Sequence, residues 1–179
     1  MSKAIKSILN TVLYMLVLIA LTVLFMRFVM QRTLVSGNSM QPTLQDGDSL
    51  MVDKLSYRFK DPERFDIVVF PYRHGDETFI IKRVIGLPGE TVQITTDGRI
   101  RVNDEVLTEH YGLEVIQNPG RAIEKITLAD DEYFLLGDNR NNSLDSRDAS
   151  IGNVKRRDLV GKAFIRVWPF SSFGILKHQ

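Results

Sequence analysis

From Ser7 to Met26 the chain runs "SILNTVLYMLVLIALTVLFM", twenty residues without a charge. At 1.5 Å per residue this spans roughly the 30 Å of a bilayer core, so the run predicts a transmembrane helix over about residues 7–26. A cleaved signal peptide has an apolar region of about 7–15 residues and a small-x-small cleavage site. The run here is longer, and the "RFVMQRTL" that follows is bulky and basic. The segment therefore reads as an uncleaved anchor occupying residues 1–32, with the remaining body at 33–179. Lys3 and Lys6 precede the run and Arg27 and Arg32 follow it, so charge alone leaves the orientation open.

Composition bounds what the body can be. The chain is 44% hydrophobic and 25% charged, a globular balance. The first 32 residues hold four basic groups and no acid, which leaves 19 basic and 22 acidic groups beyond them. A slightly acidic body lacks the basic stripe that a nucleic-acid partner requires, so nucleic acid is not expected. The absence of cysteine excludes disulfides, zinc-cysteinate sites and thiol catalysis.

Past residue 33 the apolar residues fall into short β-branched and aromatic runs. "SLMVDKL", "DIVVF", "TFIIKRVI", "TVQIT", "RIRV", "YFLLG" and "LVGKAFIRVW" each read as a strand. Turn signals separate them at Gln45-Asp46-Gly47-Asp48, Pro71, Gly75-Asp76, Leu87-Pro88-Gly89, Thr96-Asp97-Gly98 and Gly137-Asp138-Asn139. "TTDG" between two of the runs reads as a hairpin tip. The expectation is a mainly β, antiparallel-sheet domain. Residues 108–131 are more polar and irregular and read as a surface excursion.

Several serines in special settings raise the question of a base. The three histidines, His74, His110 and His178, lie in contexts that read as surface positions. Lysine offers a better case. In "TFIIKRVIG" two-residue alternation puts Ile80, Lys82 and Val84 on one face and Phe79, Ile81, Arg83 and Ile85 on the other. A lysine desolvated among such neighbours has a lowered pKa and can act as a base. A strand lysine can also reach water along its stem, and the residues alone leave both readings open.

"SGNSMQPTLQDGD", "FDIVVF", "IKRVIGLPGE" and "GDNRNNSLDSRD", in that order behind one anchor, resemble the successive boxes of type I signal peptidases. The single anchor and short body are similar to the Gram-positive form. The resemblance covers the anchor and the body from Val35 to Arg147, with "LVGKAFIRVWPF" as a closing strand. It implies a serine–lysine dyad in which Ser39 is the nucleophile and Lys82 the general base, a variant of the triad logic. It further implies that Ser143 orients the lysine amine by a hydrogen bond, and that Asp145 and Arg147 form a supporting ion pair. An exposed pair of that kind is worth ~0–1 kcal/mol. The backbone N–H of Ser39 is the expected oxyanion donor, with Asn38 as a candidate helper. Gly37 stands where some family members have a serine hydroxyl, and Ser36 lies one position too far back to take that role.

Val35, Met40 and Ile81 adjoin the dyad in sequence and are candidate walls of a substrate pocket, although each also reads as a core residue. The loop "DNRNNSLDSRD" is rich in oxygen ligands, but an EF-hand loop beginning at Asp138 would need Asp or Asn where Arg140 stands and Gly where Ser143 stands. No metal or other cofactor is expected. The family's substrates are secretory preproteins, cut after a small-x-small sequence, and its catalytic body lies on the outer face of the cell membrane with the N-terminus cytoplasmic. Two rival readings remain: an inactive membrane-anchored scaffold, and a self-cleaving repressor-type serine–lysine peptidase, which would carry a DNA-binding domain in place of the anchor.

Overall fold

The apolar run forms the middle of a helix, α1, Lys3–Phe28, longer at both ends than the span read from sequence. The computed structural model describes residues 3–72 and 79–176, so His74, His178 and the Gly75-Asp76 turn lie outside the described residues. α1 has a mean hydropathy of 2.5 over its spanning window, and none of that window is buried against the body. A helix that is apolar all round and exposed all round is suited to hydrocarbon rather than water. Its two threonines turn their hydroxyls inward: Thr11 Oγ1 donates to the Ser7 carbonyl at 3.0 Å and Thr22 Oγ1 to the Leu18 carbonyl at 2.9 Å. Neither hydroxyl is left unsatisfied in an apolar setting.

Among the described residues the body has twelve strands: β1 Met30–Leu34, β2 Ser49–Asp53, β3 Ile67–Pro71, β4 Phe79–Gly86, β5 Thr91–Ile94, β6 Ile100–Val102, β7 Glu105–Val106, β8 Ile126–Thr127, β9 Glu132–Leu136, β10 Val154–Lys155, β11 Gly161–Trp168 and β12 Gly174–Ile175. The larger sheet has the order β1-β2-β11-β3-β4-β9-β10, with β12 paired to β11, and the smaller has the order β7-β6-β5-β8. Every pairing is antiparallel. All seven runs read as strands are strands. β1 is an addition: the sheet begins at Met30, inside the segment assigned from sequence to the anchor. The segment 108–131 also does more than cover a surface. Its Ile116, Ala122 and Leu128 are buried under the small sheet, and β8 pairs with β5.

The central strands carry apolar side chains on both faces, and their two-residue alternation sorts these into separate cores. Along β3, Ile67 and Val69 join a cluster with Val35, Met40, Leu44 and Ile81, whereas Val68 and Phe70 join one with Tyr57, Val84 and Leu135. Along β9, Tyr133 and Leu135 face that second cluster, whereas Phe134 and Leu136 pack with Ile85, Val92 and Ile94 beneath the small sheet.

Two features of the larger sheet set the places of Ser39 and Lys82. β1 and β2 pair from Met30↔Asp53 to Leu34↔Ser49, so residues 35–48 form the loop that closes their hairpin. That loop is tied down by Val35 N–H to the Asp48 carbonyl at 2.8 Å and Gly37 N–H to Asp46 Oδ1 at 2.7 Å. Gly37 has φ +91°, a left-handed conformation that favours glycine. β4, meanwhile, pairs with β3 along residues 79–83 but meets β9 only from Arg83 onward. The far edge of residues 79–82 therefore has no strand partner among the described residues.

Arg83 and Asp138 form a fully buried, two-pronged ion pair, with Nε to Oδ1 at 2.8 Å and Nη2 to Oδ2 at 2.6 Å. Thr43 Oγ1 donates to Asp138 Oδ2 at 2.6 Å, Arg83 Nη1 donates to the Phe65 carbonyl at 2.9 Å, and the guanidinium carbon lies 3.6 Å from the Tyr111 ring centroid. A buried pair of this kind is costly to break because one charge is left unpaired. Asp138→Ala strands the Arg83 guanidinium and is expected to lower the unfolding free energy by roughly 3 kcal/mol in denaturant titration. A loss below about 1 kcal/mol would contradict the reading that the pair is a keystone of the core.

Candidate active site

Ser39 sits in the hairpin loop over the cluster of Val35, Met40 and Leu44, and Lys82 sits on β4, directly opposite Val68 of β3. Folding brings these two residues, 43 apart in sequence, to 2.6 Å between Lys82 Nζ and Ser39 Oγ. Lys82 is only 3% exposed. Its amine also donates to the carbonyl of Ile81 at 3.0 Å. Burial lowers its pKa to about 8 from an ordinary 10.5, because an ammonium held there loses its hydration. The carboxylates of Asp145 and Asp138 pull in the opposite direction, and the Arg147 guanidinium adds a smaller downward push. A neutral amine can donate to Ile81 and still accept the Ser39 hydroxyl proton, which is the arrangement general-base activation of a serine requires.

The loop after β9 closes the site from the other side. Asn139 N–H donates to the Ser39 carbonyl at 3.1 Å, and Asn139 Nδ2 donates to the Asn38 carbonyl at 3.1 Å. Gly137 makes the approach possible. A Cβ added there would lie 2.2 Å from Ser143 Oγ and 2.5 Å from the Ser39 carbonyl oxygen. Asp145 Oδ2 accepts from Gly137 N–H at 3.1 Å, and Arg147 grips the same carboxylate with Nε and Nη2, both at 2.8 Å. The expected Asp145–Arg147 pair is present but is buried rather than exposed, with further bonds from Arg147 Nη2 to the Arg140 carbonyl at 2.6 Å and Nη1 to the Asn118 carbonyl at 3.1 Å. It clamps the loop from inside.

One expectation is not met. Ser143 Oγ is buried but has no hydrogen-bond partner among the described residues, so it does not orient the lysine amine through a hydrogen bond. The amine's contacts go to Ser39 and Ile81, and the Ser143 hydroxyl is pressed against Gly137 instead. Asn38, the candidate helper donor, is exposed, and its Oδ1 accepts from Gln41 Nε2 at 3.1 Å. The Ser39 N–H is hydrogen-bonded to no other group among the described residues.

A cleft of about 210 Å³ opens beside Ser39 and Lys82. Val35, Met40 and Ile81, the pocket walls expected from sequence, all line it, and each also belongs to the first core cluster. Leu34, Phe79, Ile80 and Leu144 complete an apolar lining that sequence reading did not assign. Ile80 was within reach of that reading, since it shares the Lys82 face of the strand. Asn139 carried no such signal, because its role depends on a loop-to-loop contact across a hundred residues. Ser36 lines the cleft as well, and among the described residues it makes no hydrogen bond to Lys82.

A serine hydroxyl in contact with a desolvated lysine, beside an apolar cleft on an antiparallel sheet, defines a serine hydrolase of the serine–lysine type. The family model described as "Signal peptidase, peptidase S26" matches residues 8–168. The chain belongs to that signal peptidase family of membrane-bound serine endopeptidases. It is 42% identical over 160 residues to signal peptidase I of Leptolyngbya laminosa, covering 83% of this chain and 74% of that one. It is 41% identical over 155 residues to probable signal peptidase I-2 of a Synechocystis species, covering 83% and 68%, and 39% identical over 157 residues to signal peptidase I of Bacillus caldolyticus, covering 82% and 84%. A crystal structure of a signal peptidase I from Enterococcus faecalis, 35% identical, covers 57% of this chain and 97% of its own with a TM-score of 0.48.

Gly137→Ala tests the close approach of the two loops. The methyl has no room between Ser143 Oγ and the Ser39 carbonyl, both under 3 Å from it. The variant is expected to lose at least about 90% of peptidase activity while keeping a wild-type circular-dichroism spectrum. Retention of full activity would mean that the loops tolerate separation.

Proposed function

We propose that Ser39 is the nucleophile and Lys82 the general base of a peptidase that removes signal peptides from exported preproteins. The observation that carries this reading is the 2.6 Å contact between the Ser39 hydroxyl and an amine whose pKa burial lowers to about 8. Neutral Lys82 takes the hydroxyl proton as Ser39 Oγ attacks the scissile carbonyl, and the resulting ammonium gives that proton to the leaving amine. Water then attacks the acyl-enzyme as Lys82 takes its proton; the bond between the acyl carbon and Ser39 Oγ breaks, and the ammonium returns the proton to Oγ. The Ser39 N–H donates to the developing oxyanion.

The substrate lies extended along the unpaired edge of β4 at residues 79–82, adding a strand to the sheet. Its small side chains, in the small-x-small pattern, fit the shallow apolar cleft of Val35, Met40, Ile80 and Ile81. A substrate held in the membrane and an enzyme anchored in the same membrane meet in two dimensions at high effective concentration. The body at residues 33–179 lies on the outer face, with the N-terminus cytoplasmic. Exposed Trp168 at the end of β11, Phe170 and Phe173 in the turn that follows it, and Ile175 of β12 support contact of the body with lipid.

Ser39→Ala and Lys82→Ala are each expected to reduce cleavage of a secretory precursor by more than about a thousandfold while leaving the thermal midpoint within a few degrees of wild type. Wild-type cleavage in either variant would overturn the dyad. The base must be neutral, so kcat/KM is expected to rise with pH through a midpoint of about 8 and then level off. A profile already flat from pH 6 upward would exclude Lys82 as the titrating base.

A further inference from the structure

The hydrogen bonds of Asn139 reach past the Ser39 hydroxyl to the peptide that precedes it. A peptide unit is planar and its C=O and N–H point in opposite directions when trans. The unit joining Asn38 to Ser39 is trans, so whatever holds the Asn38 carbonyl also sets the direction of the Ser39 N–H. That carbonyl accepts from Asn139 Nδ2 at 3.1 Å and from Gln41 N–H at 3.2 Å. The Gln41 bond is internal to the nucleophile loop and moves with it. The Asn139 bond comes from outside, and the Asn139 N–H holds the next carbonyl, that of Ser39, at 3.1 Å. Asn139 is itself fixed through its neighbour Asp138, whose carboxylate is locked to Arg83, the residue adjoining Lys82 on β4. One covalent and hydrogen-bonded path therefore refers the plane of the Asn38–Ser39 peptide to the strand that carries the base.

We infer that Asn139 is a positioning residue for the oxyanion site: its side-chain amide fixes the peptide plane that aims the Ser39 N–H at the developing oxyanion. This rests on the assignment of Ser39 as nucleophile and of its N–H as donor. The side chain touches neither the reacting hydroxyl nor the lysine amine, so its effect is confined to the transition state, in which the oxyanion exists. Removing an oxyanion donor outright costs about 10²–10³ in rate, and a donor left in place but no longer aimed costs less.

Asn139→Ala keeps the backbone N–H and removes only the amide brace, and Asn139→Asp keeps the shape while removing the donor. In the full chain in detergent, both are expected to lower kcat about tenfold or more with KM within about twofold; the pH midpoint is unchanged in Asn139→Ala and moves only upward in Asn139→Asp, whose added carboxylate favours the Lys82 ammonium. A peptide aldehyde supplies the readout that a general loosening of the loop would not reproduce. Ser39 Oγ adds to the aldehyde carbon, the C=O π pair becomes an oxyanion, and the hydroxyl proton passes to Lys82. Aldehyde affinity is expected to fall in step with kcat, while the affinity of a peptide with a reduced, uncleavable bond stays at wild type. Parental kcat and aldehyde affinity in both variants would overturn the inference, as would an equal loss of affinity for both peptides. Cleavage surviving in a parallel Ser39→Ala variant would instead bring down the nucleophile assignment, and this inference with it.

Discussion

Lys82 sits at 3% exposure with its amine against a serine hydroxyl, and an ammonium in that place lacks the water that stabilises it in the unfolded chain. The surrounding structure is arranged around that desolvation. β4 carries Ile81 in one core cluster and Val84 in another, so both faces of the strand are covered near Lys82, which borders the cleft at the strand's unpaired edge. The nearby charges do little to rescue the ammonium. Asp145 and Asp138 favour it, but each is gripped by an arginine through two hydrogen bonds, and burial dominates the balance.

The same pairs of charges hold the loops that meet at the lysine. The loop that carries Ser39 is attached through Thr43 to Asp138 and through its Asn38 and Ser39 carbonyls to Asn139. The loop after β9 is attached to β4 through Arg83 and is closed on itself by Arg147 and Asp145. These bonds join three distant segments into one rigid unit, and the absence of a side chain at Gly137 lets them approach. Preorganisation of this kind is how a site limits reorganisation during reaction. The residues of the polar network are not among those that line the cleft, whose side chains are apolar apart from Ser36, Ser39 and Lys82.

Much of this was legible in the chain before folding. The alternation of "FIIKRVIG" told which residues share a face with Lys82, and the turn residues between β-branched runs marked the strands. The ordered boxes implied the approach of Ser39 to Lys82, and adjacency to that pair in sequence picked out Val35, Met40 and Ile81 as candidate cleft walls. What sequence did not carry depends on contacts between loops. The strand β1 was hidden because "MQRTL" is polar and gains its order from pairing with β2. The excursion at 108–131 read as surface because its buried residues, Ile116, Ala122 and Leu128, are separated by polar and turn residues and are too sparse to set the alternation of a strand or the face of a helix. Ser143 shows the opposite case: the motif implied a bond to the lysine, and the geometry leaves its hydroxyl unpaired beside Gly137.

The depressed basicity of one buried amine is the central claim, and it can be measured on the amine itself. Selective ¹³Cε-lysine labelling of the full chain in detergent, with the Lys82→Met variant to assign the resonance, gives the titration of Lys82 directly by NMR. The account predicts a midpoint of about 8 for that resonance. A midpoint near the ordinary 10.5 would show that the ammonium is not penalised in its site, and would contradict the account at its base.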